Sequence, residues 1–204
     1  MAGPDVVFWQ ARFAQNQTPW DRGAASPQLG AWLASAQLVP ALGTVAVPGC
    51  GAGYEVAALA ARGFAVLALD YTPAAVDLTR ARLQRAGASA RVIEADVLAW
   101  APEEPLAAVY EQTCLCALHP DHWFAYACQL HRWLRPGGAL FALFMQARRE
   151  GAAHGLVEGP PYHCDINAVR ALFPADRWDW PAPPYARVPH PRGTDELALI
   201  LTRR

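Results

Sequence analysis

Short apolar runs alternate with helix-patterned stretches along most of this chain, and that alternation limits the fold more than any other feature. Residues 44–49, 64–70, 90–96, 106–115, 139–146 and 197–204 read as strands. Most are apolar throughout, as strands covered on both faces are. Between them, residues 54–63, 72–87, 122–138 and 166–174 read as helices. Thr72, Pro73 and Gly87 occupy cap, first-turn and stop positions of the second of these. Strand–helix alternation implies right-handed crossovers and a doubly wound, mostly parallel sheet. Ligands of such sheets bind beyond the carboxyl ends of the strands, at the switch point.

Two helices precede the first strand, at 5–15 and 28–38, separated by a Pro- and Gly-punctuated loop. Trp9 and Phe13 are four residues apart and share a helix face. The Pro-rich stretch 178–193 reads as a surface connection. With 204 residues, the chain suits one domain over 1–204, with an α/β core from residue 28 onward.

Composition removes several function classes. A net charge of −1 disfavours nucleic acid as partner. No apolar run reaches the roughly 20 residues of a membrane span, and the first residues lack the pattern of a secretory signal. All 17 basic residues are Arg, which removes Schiff-base chemistry and a P-loop lysine. Five irregularly spaced cysteines read as reduced thiols of a cytoplasmic protein, with no zinc-ligand spacing. Cys114 and Cys116, read as alternating on a strand, suit packing better than nucleophilic attack.

Chemistry-bearing residues fall where strands end. The first strand closes on Val-Pro-Gly-Cys-Gly-Ala-Gly-Tyr-Glu, with Gly49, Gly51 and Gly53. Glycines let a ligand approach the backbone. The third glycine comes one residue too early for a dinucleotide turn, and Glu55 at the helix start would repel a pyrophosphate. A cationic ligand fits better; a tight turn without ligand is the alternative. Asp70 closes the second strand, where an acid accepts from ribose hydroxyls, or simply caps a helix. Asp96 closes the third, where it can accept from an adenine amine while Val97 packs on the ring; a solvated loop aspartate is the alternative. Together they describe an adenosine site without a phosphate partner, which S-adenosylmethionine fits.

These motifs, with Trp-Leu-Arg-Pro-Gly-Gly (133–138), resemble those of class I S-adenosylmethionine-dependent methyltransferases. More narrowly, Thr-Pro-Trp-Asp-Arg-Gly-Ala-Ala-Ser-Pro (18–27), Tyr-Glu-Gln-Thr-Cys-Leu-Cys-Ala-Leu-His-Pro (110–120) and Gly-Pro-Pro-Tyr (159–162) resemble the thiopurine S-methyltransferase family, closest to its thiol and halide methyltransferase branch. The resemblance implies a Rossmann-like sheet of the seven-stranded type with an N-terminal helical lid over residues 1–27. It implies S-adenosylmethionine as methyl donor and S-adenosylhomocysteine as product. Trp9, Phe13 and Trp20 match aromatics that cover the cofactor; Gly49, Gly51, Asp70, Tyr71, Asp96, Val97 and Glu111 match cofactor contacts; Tyr162 matches a substrate-pocket residue. Many relatives carry Pro-Pro at His119-Pro120, and an Arg at Trp123. His119 is a candidate base or pocket residue, or a loop His with a local hydrogen bond.

The expected activity is in-line methyl transfer to a small soft nucleophile such as a thiol, thiopurine or halide, by a cytoplasmic monomer that binds neither nucleic acid nor membrane. Two alternatives stand beside it. One is a class I methyltransferase for an oxygen, nitrogen or metalloid acceptor. The other is a non-catalytic S-adenosylmethionine-binding module.

Overall fold

The computed structural model describes residues 3–191 and 193–204, with the side chains of 152 and 153 left out. The first two residues of the expected lid therefore lie outside the described residues.

The strand pattern becomes β1 (Val45–Pro48), β2 (Val66–Asp70), β3 (Arg91–Glu94), β4 (Leu106–Gln112), β5 (Leu134–Gln146), β6 (Trp178–Asp179), β7 (Ala186–Pro189) and β8 (Asp195–Arg203). They form one sheet in the order β3-β2-β1-β4-β5-β8-β6, with β7 also paired to β8. β1 to β5 run parallel, and β8 pairs antiparallel with β5 and with β6 and β7. The chain steps outward from β1 through β2 to β3, then returns to β4 on the other side of β1. The switch point lies between β1 and β4.

The helices are α1 (Val6–Ala14), α2 (Pro27–Ala34), α3 (Tyr54–Ala60), α4 (Pro73–Ala86), α5 (Cys114–Ala117), α6 (Trp123–Trp133) and α7 (Ile166–Leu172). Both faces of the sheet are covered, and strand alternation decides which residue meets which layer. Ala108 and Tyr110 of β4, with Phe141 and Leu143 of β5, pack toward Leu29 and Trp32 of α2, Val56 and Leu59 of α3 and Leu83 of α4. Val109, Leu140, Ala142 and Phe144 pack on the opposite face, toward Tyr126, Leu130 and Trp133 of α6 and Val169 of α7. Among the described residues no helix is long and apolar enough to cross a membrane.

The structure corrects several of the sequence expectations. Cys114 and Cys116 lie in the one-turn helix α5, not on a strand. The apolar run therefore breaks at Thr113, whose φ of 63° turns the chain. α6 stops at Trp133, and residues 134–138 belong to the start of β5, exposed at Arg135, Pro136 and Gly137. Leu134 bonds to Leu106 of β4 there, so sheet pairing takes over before Pro136 is reached. The Pro-rich connection is not irregular throughout, because Trp178–Asp179 and Ala186–Pro189 both pair with β8. Thr72 sits at the N-cap of α4, but its hydroxyl donates to Asp70 and makes no cap bond.

α1 contains no fully buried residue. Asp5 caps it by accepting from the Phe8 N–H. Gln10 Oε1 accepts from the Ala74 N–H at 3.0 Å, tying α1 to the start of α4.

Gly53 is the tightest point between α3 and α4. Its φ is +74°, and a Cβ there would stand 2.6 Å from Thr79 Oγ1 and 2.9 Å from Thr79 Cα. A left-handed backbone costs an L-residue about 1–2 kcal/mol, and overpacking adds about 1–3 kcal/mol. Gly53→Ala should therefore lower the unfolding free energy by about 2–5 kcal/mol in chemical denaturation. A loss below about 0.5 kcal/mol would contradict this packing.

Candidate active site

A cleft of about 600 Å³ opens at the carboxyl ends of β1 to β4, beneath α1 and the 18–27 segment. A pocket of this size takes a nucleoside joined to an amino acid. Its floor on one side is the turn after β1, where backbone lies bare at Gly49 and Gly51. A Cβ at Gly51 would meet the Phe13 ring at 3.5 Å, so that ring roofs the turn closely.

Asp70 holds this turn in place. Its Oδ2 accepts from the Gly51 N–H at 3.0 Å. Its Oδ1 accepts from the Thr72 N–H at 3.0 Å and the Thr72 hydroxyl at 2.6 Å. Both expected readings of Asp70 therefore meet in one carboxylate: it organises the next helix start, and it lines the cleft. A ribose hydroxyl would share Oδ2 with Gly51. Burial pushes its carboxyl upward, and the Thr72 and Gly51 donors oppose that.

Tyr71, Asp96 and Val97 line the same side. Asp96 stays exposed, with Oδ1 accepting from the Leu98 N–H at 2.8 Å. Burial, with the Asp70 and Asp96 charges, pushes the Tyr71 phenol up, which keeps it neutral. Glu55 also lines the cleft; its Oε1 accepts from the Ser26 N–H at 3.0 Å and so ties the loop before α2 to α3. Carboxylates at 55, 70 and 96 around bare glycine backbone suit a cationic nucleoside and oppose a phosphate.

The roof is aromatic. Trp20 meets Trp9 edge-on at 5.5 Å between centroids and Phe13 at 6.0 Å. Phe8 meets Trp9 edge-on at 5.1 Å. Half-buried indoles facing a cleft can shield a cation from water and offer cation–π contact.

Three expected site residues stand apart from the cleft. Glu111 is fully buried in the opposite layer, between the cleft-lining Tyr110 and Gln112. Strand alternation turns it away, toward α5, where Oε1 accepts from the Leu115 N–H at 2.7 Å. Burial raises its carboxyl to about 8. Tyr162 stands behind the wall that Gly159, Pro160 and Pro161 present to the cleft. Its N–H donates to the Cys116 carbonyl at 2.7 Å, and its ring meets His119 edge-on at 5.3 Å. His119 also does not line the cleft; its Nδ1 accepts from the Asp121 N–H at 3.3 Å. Trp123 is buried, with Nε1 donating to the Leu115 and Leu118 carbonyls.

Other cleft residues were not anticipated. Arg22, Gln112, Met145 and His190 line the half over β4, β5 and β8. Arg22 donates to the Pro189 carbonyl at 2.7 Å and to Glu196 at 3.1 Å. Gln112 Nε2 donates to both Glu196 oxygens at 3.2 Å, and its Oε1 accepts from the Tyr110 hydroxyl at 2.8 Å. Only the adjacency of Arg22 to the Thr-Pro-Trp-Asp string could have pointed to it. Its partner is 174 positions away.

The doubly wound sheet with this cleft at its switch point is Rossmann-like, and the chain's matches to known proteins make it an S-adenosylmethionine-dependent methyltransferase of that class. The fold matches that of 1,6-didemethyltoxoflavin-N1-methyltransferase from Burkholderia thailandensis, with TM-score 0.73, 21% identity, and coverage of 97% of this chain and 86% of that one. The sequence match is narrower. The description of the family Thiopurine S-methyltransferase fits residues 5–180. Thiocyanate methyltransferase 1 of Arabidopsis thaliana is 30% identical over 170 residues, which is 81% of this chain and 70% of the relative. Thiopurine S-methyltransferase of Azotobacter vinelandii (strain DJ) is 30% identical over 186 residues, 83% of this chain and 82% of the relative. The chain belongs to the thiopurine S-methyltransferase family.

Glu111 yields a prediction. The unfolded chain releases this proton near the ordinary carboxyl value, whereas the folded chain keeps it to about pH 8. Stability is therefore lost as pH rises through that window. Glu111→Gln keeps an acceptor for Leu115 and removes the titration. Denaturant midpoints measured from pH 5 to pH 8.5 should fall less steeply for Glu111→Gln than for the wild type; parallel profiles would contradict the assignment.

Proposed function

We propose that this chain transfers a methyl group to a small soft nucleophile, of the thiol, thiopurine or halide kind, in keeping with its family and with the names of its relatives. The supporting observation is the wall of the acceptor half. Trp20, Met145, Pro160 and Pro161 make it apolar and polarisable, with Arg22 as its cation. Such walls suit a nucleophile that carries its own charge and is itself polarisable.

S-adenosylmethionine supplies a methyl carbon activated by a cationic sulfur. In this reading Asp70 accepts from a ribose hydroxyl, Asp96 from the adenine amine, and Val97 packs on the base. The Gly49–Gly51 backbone gives room for the amino-acid tail. Trp9, Phe13 and Trp20 exclude water and favour the cation. Charge on sulfur disappears as the new bond forms, so a strong base is not needed for an anionic acceptor. Alignment of donor and acceptor carries the rate, an effect worth on the order of 7–11 kcal/mol in favourable cases. His119 and Tyr162 act from behind the wall, by fixing the 159–162 segment against α5.

We further read the chain as a single domain in which residues 1–27 form a lid over a 28–204 core. The lack of fully buried residues in α1, which the Gln10 hydrogen bond links to α4, supports this. Five free cysteines are consistent with a reducing cytoplasm. The oligomeric state in this reading is monomeric, without nucleic-acid or membrane partners.

Two experiments test these readings. Purified protein given labelled methyl donor should turn over thiols, iodide or thiopurine in preference to phenols, amines and selenite. Turnover confined to an oxygen, nitrogen or metalloid acceptor would overturn the acceptor class, and binding without any turnover would favour a non-catalytic module. In hydrogen exchange, S-adenosylhomocysteine should raise protection of the amides of residues 6–25 at least tenfold. Equal exchange with and without it would remove the lid.

A further inference from the structure

Arg22 reaches into the acceptor half from the 18–27 segment, and its side chain is 17% exposed. One terminal nitrogen is spent on the Pro189 carbonyl and Glu196. Its Nε is buried and meets no acceptor among the described residues. Its other terminal nitrogen makes no hydrogen bond among the described residues and is not fully buried, so it is the guanidinium donor that a ligand in the cleft can reach.

The neighbouring Gln112 amide makes no bond to Arg22: its Nε2 bridges the two Glu196 oxygens at 3.2 Å, and its oxygen accepts from the Tyr110 hydroxyl. The acceptor half thus offers a ligand one uncommitted terminal nitrogen of Arg22, in a cleft also lined by Trp20, Met145, Pro160 and Pro161. A small polarisable anion satisfies both features. The other arginine at the cleft, Arg12, lies on α1 with its guanidinium 4.9 Å above the Phe8 ring.

Glu196 is fully buried behind this group. It faces Arg22 from the N-terminal segment, Gln112 and Tyr110 from β4, and Glu55 from α3. Glu111, Cys116 and Cys164 are also within its field, and His190 lies at the start of the β7–β8 turn. A second negative charge at Arg22 would be repelled by Glu196 unless Glu196 took up a proton.

We propose that Arg22 is the anion-holding residue of the acceptor subsite and Glu196 its protonatable counter-charge, so that the subsite takes small soft anions together with a proton. This rests on the methyl-acceptor reading above and names the residues that would carry its selectivity. Burial already raises the Glu196 carboxyl to about 7, against the lowering pull of Gln112 and Arg22. Anion affinity should therefore fall as the pH rises through that value.

The test is thiocyanate binding to the S-adenosylhomocysteine-saturated protein, by calorimetry or NMR titration at constant ionic strength, from pH 6 to pH 8.5. Arg22→Gln should weaken thiocyanate binding at least tenfold, and Arg22→Lys should restore part of it. Glu196→Gln keeps the Gln112 contact, removes the opposing charge, and should bind thiocyanate at least threefold more tightly at pH 8 with a flat pH profile. If Arg22→Gln fails to fold, the opposite shift in Glu196→Gln still decides the matter. A pH slope that survives in Glu196→Gln would assign the proton to His190 and overturn the part given to Glu196. Equal thiocyanate affinity in wild type, Arg22→Gln and Glu196→Gln would overturn the subsite while leaving the acceptor class standing. Failure to methylate any thiol or halide, with normal thiocyanate binding, would instead overturn the acceptor class.

Discussion

Asp70 ties the turn after β1 to the start of α4. One carboxylate takes the Gly51 N–H on one oxygen and both Thr72 donors on the other. Without it, the Gly51 N–H would lose its partner, and the turn would keep its backbone bond from Cys50 to Leu69 of β2 and its carbonyl bonds to Thr79 and Arg82 of α4. The carboxylate is buried where a charge is costly, and three donors offset that cost. The same group that organises the strand ends therefore also lines the cleft, so under the proposed function cofactor binding and local stability share one residue.

From that turn the cleft divides naturally. Over β1 to β3 lie glycine backbone and carboxylates, which suit a cationic nucleoside. Over β4, β5 and β8 lie Met145, Gln112 and Arg22. The aromatic roof of Trp9, Phe13 and Trp20 spans the cleft from above, and it belongs to the part of the chain least anchored in the core. The proposed lid function fits this division, since a water-free site must still admit two ligands.

Much of this was legible in the sequence. The strand–helix rhythm marked the sheet class, and the residues ending β1, β2 and β3 do line one cleft, because strand ends converge at a switch point. The failures have definite causes. Glu111 was aligned by motif, but a strand's two-residue period places it opposite Tyr110 and Gln112, so parity decides against it. Cys114 and Cys116 looked strand-like because apolar residues continue past Thr113, where a left-handed residue bends the chain. Proline marks 178–193 as irregular, yet short edge strands tolerate it and pair with β8 there. The Arg22–Glu196 pair left no local signature. Contacts between chain ends are set by the sheet order, and no window of sequence contains them.

The central claim is that these three adjacent strand ends cradle S-adenosylmethionine. A crystal structure with S-adenosylhomocysteine tests it most directly. The account places adenine between Asp96 and Val97, ribose at Asp70, and the sulfur beneath Trp20. Adenine found in the β4–β8 half, or a ligand that makes no contact with Asp70, would contradict it.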